Sequence, residues 1–223
     1  MNKDELRYIV VEGPIGVGKT ALARRLADSL NNELLLERAT GNPFLTGIYH
    51  HPGSAALPAQ LHFLFEHVKQ VRALRQTDLF SPNQVADFLV QANKVYAEAT
   101  LSPDELDLYY QVYNILIGDV PVPGLVIYLQ SSVDEMIRRI RSHGRSHNMK
   151  IDRDYLQRIA EEYADFFYHY DASSLLIVNA TDLDFTGDSS DYAVLLDYLG
   201  DLDPGRHYFN PQELPRISHP VAD

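Results

Sequence analysis

Eight residues near the N-terminus, Gly13-Pro14-Ile15-Gly16-Val17-Gly18-Lys19-Thr20, spell G-x-x-x-x-G-K-T. That spacing suits one task. Glycines let backbone N–H groups turn inward around phosphate oxygens, and the lysine reaches the β- and γ-phosphates. The threonine hydroxyl is placed for Mg²⁺. Tyr8 to Val11 reads as a strand before the loop, and Thr20 to Leu30 reads as a helix after it, with Leu22, Leu26 and Leu30 four apart. The helix start aims its positive end at the same anion. Gly13, Gly16, Gly18, Lys19 and Thr20 are therefore the expected nucleotide-binding residues. The loop alone does not say what becomes of the γ-phosphate. A GTP switch would carry an N-K-x-D motif, and the sequence has none. No long apolar strand ends in Asp or Asp-Glu, as a motor ATPase would require. A small-molecule kinase needs only an acceptor pocket, a base and a cationic lid.

Residues for those three parts can be named. Glu37 follows the apolar triplet Leu34-Leu35-Leu36. At the C-terminal end of a parallel strand it would face the phosphate loop, as a general base or as a solvated carboxylate. Asp87 follows Val85-Ala86 and suits either Mg²⁺ binding or a helix N-cap. Arg138, Arg139, Arg141 and Arg145 fall within eight residues, beside the stripe Val133, Met136, Ile137, Ile140 and before Gly144. Guanidinium forks suit phosphate, so residues 138–151 read as a lid, against the alternative of a solvated helix face. Gln60 can read a base edge, and Phe44, Phe63 or Phe65 can stack on a base or pack in the core. The nine histidines show no zinc spacing.

The remaining elements must place these groups. Leu125 to Leu129 and Leu175 to Val178 are continuous apolar runs, and helical spacing marks 60–74, 88–99, 102–116, 133–140 and 152–170. Pro103 and Asp104 suit the start of the fourth helix. Residues 38–58, rich in Gly and Pro, read as mostly loop or broken helix. Five short apolar strands alternating with helices predict an α/β fold: a five-stranded parallel sheet with helices on both faces. One domain is expected over 1–204, with a C-terminal tail over 205–223. The chain of 223 residues carries a net charge of −12, which disfavours nucleic acid as a partner. It contains no cysteine, so thiolate chemistry and disulfides are excluded. The charged segment Met1 to Glu5 does not read as a signal peptide, and no apolar run reaches the roughly 18 residues of a membrane span. A cytosolic protein without a membrane partner is expected.

From Tyr8 to Phe185 the chain resembles the deoxynucleoside kinases, in particular the bacterial deoxyadenosine/deoxyguanosine kinase-like branch. The resemblance rests on "YIVVEGPIGVGKT", "LLLERATGNPFL", "ALPAQLHFLFEHVKQ", "VADFLV", "LVIYLQSSVDEMIRRIRSHGR" and "DYLQRIAEEYADFFYHYD". It implies a P-loop kinase fold, a homodimer, and transfer of a phosphoryl group from ATP, with Mg²⁺, to the 5′-hydroxyl of a deoxynucleoside, by preference a purine one. It also implies roles: Glu37 as the base, Gln60 on the nucleobase, Tyr49 on the sugar 3′-hydroxyl, Asp87 near Mg²⁺, and Arg139 and Arg145 on the ATP phosphates. Two positions depart from the family pattern. Phe88 stands where an arginine usually orders the base, and His147 or Asn148 stands where a lid glutamate usually faces the sugar. Arg38 or Arg75 could supply the missing cation. The competing readings are a nucleotide-binding partner subunit with little catalysis, motivated by Phe88, and a nucleoside monophosphate kinase, for which Arg38 is the only evident second phosphate ligand.

Overall fold

The computed structural model describes residues 7–38, 41–45, 52–74, 83–142, 152–186 and 190–211. Six strands form one sheet: β1 (Tyr8–Glu12), β2 (Glu33–Leu35), β3 (Gln84–Ala86), β4 (Leu125–Gln130), β5 (Ser174–Asn179) and β6 (Arg206–Phe209). Their spatial order is β2-β3-β1-β4-β5-β6, and every neighbouring pair is parallel. Among the described residues the helices are α1 (Lys19–Leu30), α2 (Pro52–Leu74), α3 (Asn93–Thr100), α4 (Pro103–Ile117), α5 (Val133–Ser142), α6 (Arg153–Tyr168) and α7 (Ser190–Gly200).

Strand side chains alternate between faces, and the core divides accordingly. Val10, Ala86, Val126 and Tyr128 pack with Leu64 and Val68 of α2, Val95 of α3, Tyr109 of α4 and Tyr163 of α6. Ile9, Val11, Val85, Leu125 and Ile127 pack on the opposite face with Leu22 and Leu26 of α1 and Leu195 of α7. Both faces of β1, β4 and β5 are buried, which is why these strands read as nearly unbroken apolar runs. Full burial of each such aliphatic side chain contributes roughly 1.5–3 kcal/mol.

Two boundaries differ from expectation. Residues 206–209, assigned to the tail, pair with β5 in the register Leu175 to Arg206 through Val178 to Phe209, so the sheet has six strands rather than five. Arg206 fixes the edge by donating to the carbonyls of Phe167, Tyr168 and Tyr170. Helix α2 begins at Pro52, eight residues before the predicted Gln60, and contains Pro58. A proline is tolerated in a helix at the loss of one backbone hydrogen bond, and its helix-breaking reputation hid this first section. Among the described residues no helix is long and apolar enough to cross a membrane.

Candidate active site

Three adjacent strands, β2, β3 and β1, end together and deliver Glu37, Asp87 and the glycine loop to one crevice. The loop takes backbone angles that glycine favours: φ is +147° at Gly13, +84° at Gly16 and +109° at Gly18. Close packing fixes it from behind. A Cβ on Gly13 would lie 2.5 Å from the Leu129 carbonyl oxygen, and one on Gly16 would lie 2.9 Å from the Met136 carbonyl oxygen in α5. Helix α1 starts directly after Gly18. Its first residue, Lys19, donates from Nζ to the carbonyls of Gly13 (2.6 Å) and Pro14 (3.4 Å), which holds the ammonium over the loop.

A hydrogen-bond chain joins the three strand ends. Thr20 Oγ1 donates to Asp87 Oδ2 at 2.6 Å. Asp87 Oδ1 accepts from the backbone N–H of Glu37 at 2.7 Å, and the Asp87 N–H donates to the Leu35 carbonyl. Asp87 is buried, whereas the Glu37 side chain is 35% exposed. One carboxylate is thus enclosed by hydroxyl and backbone bonds, and the other is partly exposed. The hydroxyl and carboxylate of Thr20 and Asp87 make a hard-oxygen pair of the kind Mg²⁺ takes, with phosphate and water completing the shell.

Glu12 lies beneath this layer, 3% exposed. Its Oε1 accepts from the Gly13 N–H and the Tyr163 hydroxyl, and its Oε2 accepts from the Leu89 N–H. It thus ties the loop, the segment after β3, and α6 together. Burial raises its carboxyl above the ordinary glutamate range, opposed by the Lys19 charge and by the two backbone donors. Glu12 is not among the residues expected of the site, although a carboxylate closing an apolar strand is a visible anomaly.

Arg139 is placed differently from a solvent-facing lid residue. Its side chain is 13% exposed. Nη1 donates to the Val17 carbonyl at 2.8 Å, and Nη2 donates to the carbonyls of Ala180, Thr181 and Leu183. Nε donates to Glu135, which also pairs with the exposed Arg138 and whose carboxyl is held below the usual range chiefly by that arginine. Arg139 is thus a strut between α5, the phosphate loop and the segment after β5. Arg139→Lys keeps the charge but lacks the fork. Leaving several buried carbonyls without donors is expected to cost about 2–4 kcal/mol, a drop of roughly 5–15 °C in the thermal midpoint read by circular dichroism. A midpoint within about 2 °C of the parent's would remove the strut assignment.

Gln60 is buried on α2 and donates to Thr100 Oγ1 at 3.4 Å. Phe44 and Phe65 are exposed, and Phe63 lies against His67. Arg38 is exposed beside Glu37. Tyr49, Arg75, Arg145, His147 and Asn148 lie outside the described residues, as does the second part of the expected lid, 143–151. Phe88 is buried and stacks on His67, with ring centroids 4.1 Å apart and an interplanar angle of 17°. His67 was missed, although it lies two helical turns beyond Gln60 and so shares its face.

A doubly covered parallel sheet with a G-x-x-x-x-G-K-T loop, and carboxylates at the ends of the two neighbouring strands, defines a P-loop phosphotransferase. The family model for deoxynucleoside kinase matches residues 9–201, and the chain belongs to that family. A deoxyguanosine kinase of Bacillus subtilis (strain 168) is 29% identical over 200 residues, covering 87% of this chain and 97% of the relative. A deoxyadenosine kinase of Lactobacillus acidophilus is 28% identical over 194 residues, covering 81% and 88%. The deoxyadenosine kinase of M. mycoides, solved with dCMP and dCDP bound, superposes with a TM-score of 0.75 at 21% identity, over 87% of this chain and all of that one. The last comparison shows the shared fold. The protein is a nucleoside-phosphorylating enzyme of this family, which favours catalysis over the partner-subunit and monophosphate-kinase readings.

Proposed function

We propose that the chain transfers the γ-phosphoryl group of ATP to the 5′-hydroxyl of a purine deoxynucleoside. The observation that carries this is the hydrogen-bonded row Thr20–Asp87–Glu37 beside the glycine loop, which sets a partly exposed carboxylate next to a phosphate cradle. The loop N–H groups and Lys19 hold the phosphates. Glu37 accepts the proton of the 5′-hydroxyl as that oxygen bonds to the γ-phosphorus, and the bond to the β-phosphate oxygen breaks to release ADP. Thr20 and Asp87 are the residues that would hold Mg²⁺, whose chemistry is to neutralise charge on the phosphate oxygens. Gln60 offers both a donor and an acceptor to the base. Arg139 serves phosphate binding through the loop it braces. Arg145 is assigned to the ATP phosphates, and Tyr49 to the sugar 3′-hydroxyl, on the family resemblance.

The purine preference is supported by the two relatives named for deoxyguanosine and deoxyadenosine, although a further Bacillus subtilis relative is named for deoxyadenosine and deoxycytidine. A homodimer is part of the same reading, and Leu108 and Ile115 of α4, 47% and 79% exposed, are apolar surface available to it. The test is to incubate the protein with Mg-ATP and each of the four deoxynucleosides and to follow 5′-monophosphate and ADP. Monophosphate from deoxyguanosine or deoxyadenosine, faster than from the pyrimidines, is expected. Product from a pyrimidine alone would overturn the base assignment, and no product from any would overturn the activity.

A further inference from the structure

His67 is the residue that the site has not yet used. It lies on α2 at 4% exposure, and neither ring nitrogen has a hydrogen-bond partner. Its Nε2 is 3.3 Å from Glu37 Oε1, close enough for a bond but not aligned for one. The ring stacks on Phe88, with centroids 4.1 Å apart, and Phe63 lies tilted beside it at 6.0 Å. A buried imidazole without partners costs free energy, so a packed, unsatisfied ring facing a carboxylate needs a reason. Catalytic hydrogen bonds are often long or misaligned before substrate binds and tighten afterwards. The Glu37 side chain is 35% exposed, whereas the ring is buried and stacked, so any realignment falls to the carboxylate.

We propose that His67 is the positioning residue of the base: its Nε2–H donates to Glu37 Oε1 and leaves the other carboxylate oxygen to take the substrate proton. Phe88 is then the platform that fixes the imidazole plane. His67 acts only through Glu37, so the proposal rests on Glu37 being the base.

A double-mutant cycle tests it. His67→Phe keeps a flat ring on Phe88 and removes the donor. It is expected to lower kcat about 10- to 100-fold, the usual range for a hydrogen bond to a charged group, while KM for ATP changes by less than about twofold. His67→Gln, which restores an N–H donor, is expected to recover part of the loss. In a Glu37→Gln background, His67→Phe should cost less than about threefold more, because its target is gone. If His67→Phe does not fold, His67→Leu replaces it in the cycle. Equal losses in both backgrounds, or parental turnover in His67→Phe beside an inactive Glu37→Gln, would overturn the role of His67 alone. Full turnover in Glu37→Gln would overturn the base assignment and this role with it.

Discussion

Glu37→Gln is expected to lower kcat by a factor on the order of 10²–10⁴, the usual contribution of a general base. The substitution keeps the shape and a hydrogen-bonding group but cannot take a proton from the acceptor hydroxyl. It leaves the rest of the row intact, because Asp87 is bonded to the backbone N–H of residue 37 and not to its side chain. The phosphate loop, α1 and Lys19 are likewise untouched. KM for ATP should therefore stay within about threefold, and the loss should appear in kcat as well as in kcat/KM. The partial exposure of residue 37 also predicts a thermal midpoint within about 2 °C of the parent's. Steady-state kinetics with ATP varied through its KM checks the first two, and a thermal melt checks the third. A variant with parental kcat would place the base elsewhere.

The parts of this site that the sequence made legible are those set by local spacing. The glycine loop needs its residues at fixed offsets, and the strand before and helix after it confirm the context. Glu37 and Asp87 could be read as strand-end carboxylates because parallel strands open one edge to the ligand. Their direct link through the backbone N–H of residue 37 could not be read, since it depends on β2 and β3 being neighbours in space.

Residues whose roles depend on distant partners were hidden for the same reason. The arginine run at 138–145 suggested a phosphate-facing surface, but nothing in its spacing shows that Arg139 reaches carbonyls 41 to 44 residues further along. The edge strand β6 has only four residues, and its partner β5 lies about 30 residues earlier. Its short stretch carries two polar and two aromatic residues, which has no clear strand period. His67 lay within a helix whose apolar stripe was recognised, and its bond to function comes from Phe88 and Glu37 on two other elements. The apparent defect at Phe88 thus became interpretable only in three dimensions.

Gly13→Ala should be strongly damaging for a single added methyl group. Residue 13 has φ +147°, which L side chains rarely adopt, at a cost of about 1–3 kcal/mol. The new Cβ would also meet the Leu129 carbonyl oxygen at 2.5 Å. That atom is backbone in β4, which is paired on one side with β1 and on the other with β5, so it cannot retreat without disturbing both ladders. Overpacking of this kind adds about 1–3 kcal/mol. The sum, about 2–6 kcal/mol, corresponds to a fall of roughly 5–20 °C in the thermal midpoint. Any relaxation must move the first glycine of the cradle and with it the Gly13 carbonyl that anchors Lys19, so kcat/KM for ATP should fall at least about 100-fold. Gly18→Ala supplies the comparison. Its φ of +109° is strained as well, but the nearest neighbour of its Cβ is the Phe185 ring at 3.6 Å, an ordinary contact. Gly18→Ala should therefore lose only the strain contribution, about half or less of the Gly13→Ala loss. Equal losses in the two variants, measured by thermal melts and by ATP kinetics, would show that close packing against β4 is not what holds the loop in shape.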